Sequence, residues 1–529
     1  MNIGKWTPLS ESRDKTMASG HEMIVILDFG SQYTQLIARR VREQNVYCEI
    51  LPFNADLSKL ADRRVMGYIL SGGPASVLED GSPKLPVTFF DTTLPVLGIC
   101  YGLQLMALQL GGRLSRAEYR EYGRAIIDIS APNRLLKGVA SRSQVWMSHG
   151  DSVDALPSGF AKLATTSDIP YAAVADDKRR FYGVQFHPEV MHTTEGTKIL
   201  RNFLFDICGL AGDWTTESFI ESSVRQLRET IGKDKVILGI SGGVDSTVAA
   251  TLLHKAVGNQ MTAIFVNNGL LRKNEYEEVI ASYETLGINL RAVDASKLFL
   301  DGLAGVIDPE QKRKIIGRTF IEVFEKAARE VGDARYLAQG TLYPDVIEST
   351  RFKGPSATIK SHHNVGGLPE KMHLKVVEPL RELFKDEVRA LGRKLGLDES
   401  FIGRHPFPGP GLAVRVIGEI TEDRLRVLRD ADAIYISELR TSGQYDKIWQ
   451  AFAVLLPVQS VGVMGDMRTY ENVIALRAVT STDGMTADWA RIPDDILARI
   501  SNRIINEVRG VNRVCYDVSS KPPATIEWE

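Results

Sequence analysis

Val236-Ile237-Leu238-Gly239-Ile240 runs directly into Ser241-Gly242-Gly243-Val244-Asp245-Ser246, and Val248, Leu252, Leu253 and Ala256 then recur at helical spacing. The order reads as a buried strand, a glycine turn and a helix N-terminus. Such a turn aims backbone N–H groups and the positive end of a helix dipole at one point, which suits phosphate. Two glycines let the backbone come close to a ligand, and the serine hydroxyls add donors. The lysine of the G-x-x-x-x-G-K-[ST] loop is missing, so this is a different phosphate cradle.

Downstream, strands alternate with helices. Met261 to Val266 reads as a strand ending in Asn267-Asn268-Gly269, Glu275 to Leu286 as a helix, and Leu290 to Val293 as a strand. Asp308 to Ala328 reads as a long helix carrying Glu310-Gln311-Lys312-Arg313-Lys314. Most of that charge run reads as a solvated helix face, although three adjacent cations also suit a substrate phosphate. Tyr336 to Asp345 reads as a strand reaching the active edge of the sheet. Residues 350–371, rich in Lys, His and Gly, read as a long loop and a candidate lid. His362 and His363 are adjacent and lack metal-ligand spacing, so no zinc is expected. Lys385 is the candidate for the lysine missing from the glycine turn.

Upstream, a second βαβ pattern runs through Met23 to Asp28, Ser31 to Glu43, Val46 to Leu51 and Val65 to Leu70, ending at Ser71-Gly72-Gly73-Pro74. Functional residues are expected at the carboxyl ends of its strands. Pro95-Val96-Leu97-Gly98-Ile99-Cys100-Tyr101-Gly102 is a strand entering a helix, with glycines two residues either side of a cysteine. This is the geometry of a nucleophile elbow with cysteine in place of serine. The helix N-terminus beneath Cys100 favours the thiolate. Phe181 to Phe186 reads as another strand, followed by His187-Pro188-Glu189. Pro188 biases His187 to an extended conformation, in which Glu189 shares its face. Cys100, His187 and Glu189 then supply nucleophile, base and orienting carboxylate.

The last segment opens on His405-Pro406-Phe407-Pro408-Gly409-Pro410-Gly411-Leu412-Ala413, dense enough in Pro and Gly to mark a boundary. A helix at Thr421 to Glu438, strands at Ala451 to Leu456, Ser460 to Val463 and Val473 to Val479, a helix at Ile496 to Val508 and a strand at Val514 to Val518 follow. The chain end, Lys521-Pro522-Pro523-Ala524-Thr525-Ile526-Glu527-Trp528-Glu529, reads as a tail held against something rather than frayed.

The 529 residues suit about three domains. The expected class is α/β: two doubly wound, mostly parallel-sheet domains followed by a smaller α+β domain. Boundaries are read at 1–21 (flexible N-terminal extension), 22–212, 213–404 and 405–529. A net charge of −2 gives no global argument for nucleic acid or membrane, and no apolar run has membrane-spanning length. Four scattered cysteines without C-x-x-C spacing suit a reducing compartment, and the polar start lacks a signal-peptide core. The cytoplasm is the expected location.

Residues 241–246 resemble the S-G-G-x-D-S pyrophosphate loop of the N-type ATP pyrophosphatases. The resemblance implies cleavage of ATP to AMP and pyrophosphate with activation of an oxygen as an adenylate. It makes Ser241, Gly242, Gly243, Val244, Asp245, Ser246 and Lys385 the ATP-binding set, with Mg2+ expected alongside ATP near Asp245. The segment 22–212 resembles the class I glutamine amidotransferases. That resemblance implies hydrolysis of the glutamine side-chain amide through a Cys100 thioester. It also implies an oxyanion hole from the N–H groups of Gly73 and Tyr101, glutamine contact at Gln104, and a substrate loop at Ser148-His149-Gly150-Asp151.

The three segments together resemble the glutamine-hydrolysing GMP synthetase family, the H-P-F-P-G-P-G-L-A and K-P-P-A-T-I-E-W-E strings being the most family-specific. The resemblance implies that ATP adenylylates O2 of xanthosine monophosphate (XMP) and that ammonia displaces AMP to give GMP. It implies a homodimer formed through the last segment. It nominates Arg313, Gln450, Asp466, Lys521 and Glu527 for XMP, with Arg313 and Lys521 at the phosphate and Glu527 at the purine or ribose. Two alternatives, a glutamine-dependent NAD synthetase and a non-catalytic regulator, are opposed by the cysteine elbow and by the intact triad and loop.

Overall fold

A computed structural model describes residues 20–131, 133–350, 374–464, 467–481, 484 and 486–529. Asp466, residues 1–19 of the N-terminal extension and residues 351–371 of the candidate lid lie outside the described residues.

Nine strands form the first sheet: β1 (Glu22–Asp28), β2 (Tyr47–Pro52), β3 (Arg64–Leu70), β4 (Val96–Ile99), β5 (Arg113–Ile129), β6 (Arg142–Ala155), β7 (Ala161–Thr165), β8 (Ala173–Asp176) and β9 (Phe181–Val184). Their order is β2-β1-β3-β4-β9-β8-β7-β5-β6. From β2 to β9 every pairing is parallel, as the βαβ rhythm requires. β1 accordingly reads as one apolar run, and Met23 to Leu27 are all buried. From β9 to β6 the pairings are antiparallel. That half needs no crossover helices, so it left no helix–strand rhythm in the sequence. Its signal is period two: β6 buries alternate residues along its length.

The second sheet is wholly parallel: β10 (Lys235–Ile240), β11 (Met261–Asn267), β12 (Leu290–Asp294), β13 (Ala334–Ala338) and β14 (Lys375–Val377), ordered β12-β11-β10-β13-β14. The chain leaves β10 towards β11 on one side and returns to β13 on the other. β10 is therefore the topological switch point, and the glycine turn 241–243 begins at its carboxyl end. Asp308 caps the helix Pro309–Val331 by accepting from Gln311 N at 2.8 Å, with proline in the first turn.

The third sheet holds β15 (Gln450–Met464), β16 (Met467–Thr480), β17 (Asp488–Trp489) and β18 (Val511–Asp517). The two strands expected between 451 and 463 are one strand. The ladder to β16 shifts register between Leu455 and Gln459, around Pro457, which has no N–H to give.

Contacts divide the chain into two compact units, one running through Ser223 and taking in the segment that starts at Tyr343, the other holding Val224–Leu342 and the described residues from Leu374 onward. Within the second unit one buried cluster extends from Ile237, Ile264 and Phe324 through Leu412 and Tyr435 to Leu476 and Ile500. The Pro/Gly-dense stretch is part of that core. Leu412 is fully buried, and its N–H donates to Leu270 O at 2.8 Å. Burying such a side chain stabilises by roughly 1.5–3 kcal/mol, so the stretch is a packed element and not a tether.

Candidate active site

Cys100 lies between β4 and the helix Tyr101–Gln109, with φ 51° and ψ −105°. A non-glycine residue in that region is strained and persists only where its surroundings fix it. Here they do. Cys100 N donates to Val184 O at 2.8 Å, and Gly102 N donates to Ser71 O at 3.1 Å. A side chain on Gly102 would stand 2.4 Å from Leu70 O, so the turn admits only glycine there.

Register brings the other residues to the same edge. Ile99 pairs with Val184, so Cys100 and His187 leave adjacent strands side by side. β9 ends at Val184, and Pro188 and Glu189 lie in a turn that cuts short the extended run expected from sequence. The turn still delivers the pair: His187 Nδ1 and Glu189 Oε1 are 2.7 Å apart and both residues are buried. Burial disfavours a charged imidazole. Glu189 and Cys100 outweigh it and hold His187 well above its ordinary 6.5.

Gly73 follows β3 and Tyr101 opens the helix. Neither N–H donates to another group among the described residues. Two N–H groups left without an acceptor are of the kind an oxyanion hole requires. Gln104 is buried, and its Nε2 donates to Asp151 O at 2.8 Å and to Gln185 Oε1 at 3.3 Å. In the 148–151 loop, His149 lies 3.0 Å from Asp151 O and 3.3 Å from Glu121 Oε2. Ser148 O is 3.5 Å from Cys100 Sγ. Gln185 and Glu121 were not singled out in the sequence. Gln185 stands two residues before His187, the same spacing that pointed to Glu189 after it.

In the second unit, Ser241 N and Ser241 Oγ converge on Ser246 Oγ at 3.3 and 3.4 Å, and Gly243 N donates to Ser241 Oγ at 3.3 Å. Gly242 has φ +71°, and a side chain there would meet Val279 at 2.9 Å. Arg404, not anticipated, donates to Gly242 O at 3.0 Å and fixes the turn from outside. Val244–Val257 is the helix that presents its N-terminus. Lys385 Nζ lies 3.5 Å from Asp245 Oδ2, which brings a lysine from elsewhere in the chain to the glycine turn. Asp245 Oδ1 is buried and has no hydrogen-bond partner. An orphaned carboxylate oxygen beside a phosphate cradle fits Mg2+, which takes one or two carboxylates and otherwise phosphate and water. Among the described residues no group of three or more His, Cys, Asp or Glu is placed to hold a metal.

The tail is held by four cations. Arg477, fully buried, donates to Ser519 O, Thr525 O and Ile526 O. Arg415 makes two bonds to the Glu527 carboxylate. Lys312 Nζ is 2.7 Å from Glu529 Oε2, and Arg313 Nη2 donates to Glu529 O at 2.6 Å. Gln450 Nε2 donates to Glu527 Oε1 at 2.6 Å. Arg313, Gln450 and Glu527 thus gather around one chain end. Lys521 is bound elsewhere, with Nζ on Gly484 O at 2.8 Å and its backbone paired to Ala487. Lys312, counted in the sequence among a solvated run, is fully buried under the tail.

Residues 25–207 match the class-I glutamine amidotransferase family, 216–311 the NAD synthase family, and 437–528 the family of GMP synthase C-terminal domains. The NAD synthase match covers the ATP-loop segment alone. A GMP synthase [glutamine-hydrolyzing] of Maridesulfovibrio salexigens is 60% identical over 96% of this chain and 99% of that relative. Relatives with the same description from Bradyrhizobium diazoefficiens and Rhizobium etli are 59% and 58% identical over 97% of this chain, covering 94% and 100% of their own lengths.

Proposed function

This chain belongs to the glutamine-hydrolysing GMP synthase family, and on that footing we propose that it converts XMP, ATP, glutamine and water to GMP, AMP, pyrophosphate and glutamate. The observation that carries the reading is the presence, in one chain, of a strained elbow cysteine backed by His187–Glu189 and a glycine cradle at the switch point of a second α/β sheet.

Cys100 Sγ attacks the side-chain amide carbon of glutamine. The oxyanion forms against the N–H groups of Gly73 and Tyr101, which are preplaced and need no reorganisation. His187 gives a proton to the leaving nitrogen, the C–N bond breaks and ammonia departs. Water then cleaves the thioester, returning Cys100 and glutamate, with His187 again moving the proton. Glu189 orients His187 throughout and stabilises its charged form whenever His187 holds the proton.

At the second site, residues 241–246 and Lys385 hold the phosphates of ATP. The O2 oxygen of XMP attacks the α-phosphorus and pyrophosphate leaves. Ammonia attacks C2 and AMP departs, a far better leaving group than the original oxygen. Mg2+, held by Asp245 and phosphate oxygens, supplies charge neutralisation there when bound. Arg313, Gln450 and Glu527, with Lys521 and Asp466, serve XMP.

The nitrogen must arrive as neutral ammonia, since water protonates it near neutral pH. Division of labour follows the boundaries 22–212, 213–404 and 405–529. The homodimer forms through the last segment. Val461, Val463, Met467 and Tyr470, on the hairpin of β15 and β16, are each half or more exposed, a patch suited to a second copy. Among the described residues no helix is long and apolar enough to cross a membrane. All four cysteines are unpaired, which suits a cytoplasmic enzyme. Incubation with XMP, ATP, Mg2+ and glutamine tests the reading. GMP, AMP, pyrophosphate and glutamate accumulate in equal amounts; glutamate release with no GMP would overturn it.

A further inference from the structure

Among the described residues Cys100 Sγ has two hydrogen-bonding neighbours besides His187. Ser148 O, at 3.5 Å, accepts from a thiol S–H and repels a thiolate. Gln185 Nε2 lies 3.7 Å from the sulfur. Which end of the Gln185 amide faces the sulfur is fixed from a distance by a backbone carbonyl. Asp151 O only accepts, so the end of Gln104 that meets it at 2.8 Å is the NH2. The second N–H of that group points to Gln185 at 3.3 Å, so Gln185 turns its oxygen to Gln104 and its own NH2 to Cys100. Gln185 is 1% exposed and Gln104 4%, so water competes for neither amide. His149 loads the same Asp151 O at 3.0 Å and is itself held by Glu121.

We propose that Gln185 is a catalytic residue that donates a hydrogen bond to the Cys100 sulfur, sustaining the thiolate against Ser148 O and keeping it aimed, with its amide orientation set through Gln104 by Asp151 O. The inference rests on Cys100 being the nucleophile. A donor on an anion is a charge-assisted hydrogen bond, stronger than one between neutral groups. Gln185 neither gains nor loses a proton: it bonds the sulfur before attack and again when the thioester is hydrolysed. Contact between glutamine and Gln104 is therefore one amide away from the nucleophile.

The test is the rate at which iodoacetamide alkylates Cys100, followed by mass spectrometry of its peptide from acid to alkaline pH. Gln185→Leu removes the donor. We expect alkylation at neutral pH to fall by roughly tenfold, the value for loss of one charge-assisted bond. The rate at high pH, where every thiol is ionised, stays at the wild-type level, and glutamine hydrolysis falls with the neutral-pH rate. Gln185→Glu keeps the oxygen towards Gln104 but sets a carboxylate at the sulfur, and a larger loss is expected. It also serves if the Leu variant unfolds, as thermal unfolding would reveal. Wild-type alkylation profiles in both folded variants would overturn the proposal. Cys100→Ala separates the two readings: if glutamine hydrolysis survives there, the nucleophile assignment fails and not merely the role of Gln185.

Discussion

Arg415 grips Glu527 with two parallel bonds, Nη2 to Oε1 at 2.8 Å and Nε to Oε2 at 3.1 Å, and its own side chain is fully buried. The guanidinium also lies over Phe452, 4.1 Å from the ring centroid. The last residues of the chain are thus an internal part of the fold. Glu527→Ala leaves a buried cation without its carboxylate. We expect it to cost about 1.5–3 kcal/mol of stability in the second unit, read by chemical denaturation. The same variant should raise KM for XMP more than KM for ATP.

His187 carries a pH signature. Its value is raised above 6.5, so the stabilisation it draws from Glu189 is complete below 6.5 and is lost as pH rises through the folded value. Glu189→Gln should therefore lower the melting temperature most on the acid side of 6.5, with the difference from wild type shrinking at higher pH. Glutamine hydrolysis should fall by roughly 10²–10⁴-fold, since the variant loses the orienting carboxylate of the base.

His405 behaves in the opposite sense. Burial comes first among its influences and pushes it down to about 4. Its Nδ1 accepts from Ala451 N at 3.1 Å, so its Nε2 carries the proton and donates to Tyr445 O at 3.0 Å. Both nitrogens are used by the neutral ring, which also stacks on Tyr445 at 3.7 Å. The unfolded chain takes up a proton that the folded one refuses, so stability is full above 6.5 and falls as pH drops towards 4. The loss is about 3 kcal/mol. Unfolding of His405→Gln should show a flatter acid limb.

Asp245 and Lys385 meet beside the glycine turn. Asp245→Ala should abolish GMP formation from glutamine and from ammonia alike, because both routes share the adenylate. Asp245→Asn should raise the Mg2+ concentration needed for half-maximal rate. Lys385→Ala should raise KM for ATP while glutamine hydrolysis persists. A wild-type Mg2+ requirement in Asp245→Asn would remove the ion from that carboxylate.

What the sequence revealed and what it hid have physical reasons. The elbow and the glycine turn were legible because strand–turn–helix junctions leave a local pattern of apolar run, glycines and helical spacing. Strands β5 to β8 were not, because antiparallel pairing leaves only alternation, which on β6 is carried by His149 and Asp151 as well as by Val145, Met147 and Val153. Lys312 sits in a charge run that reads as solvated, and segments distant in sequence make it internal: Ala413 O and Val416 O accept from its ammonium, and Glu529, 217 residues away, pairs with it. Gln185 is not legible in the sequence because a neutral amide announces no chemistry until its partners are known. Glu189 was found at the expected spacing from His187, although a turn and not an extended strand brings the two together.

Cys100→Ala tests the division of labour most directly. GMP formation should be measured with glutamine and, separately, with ammonium salts at alkaline pH, alongside an unfolding curve. The expected result is loss of the glutamine-dependent rate with the ammonia-dependent rate kept. Loss of both rates in a protein that unfolds like the wild type would contradict the assignment of nitrogen release and nitrogen use to separate sites.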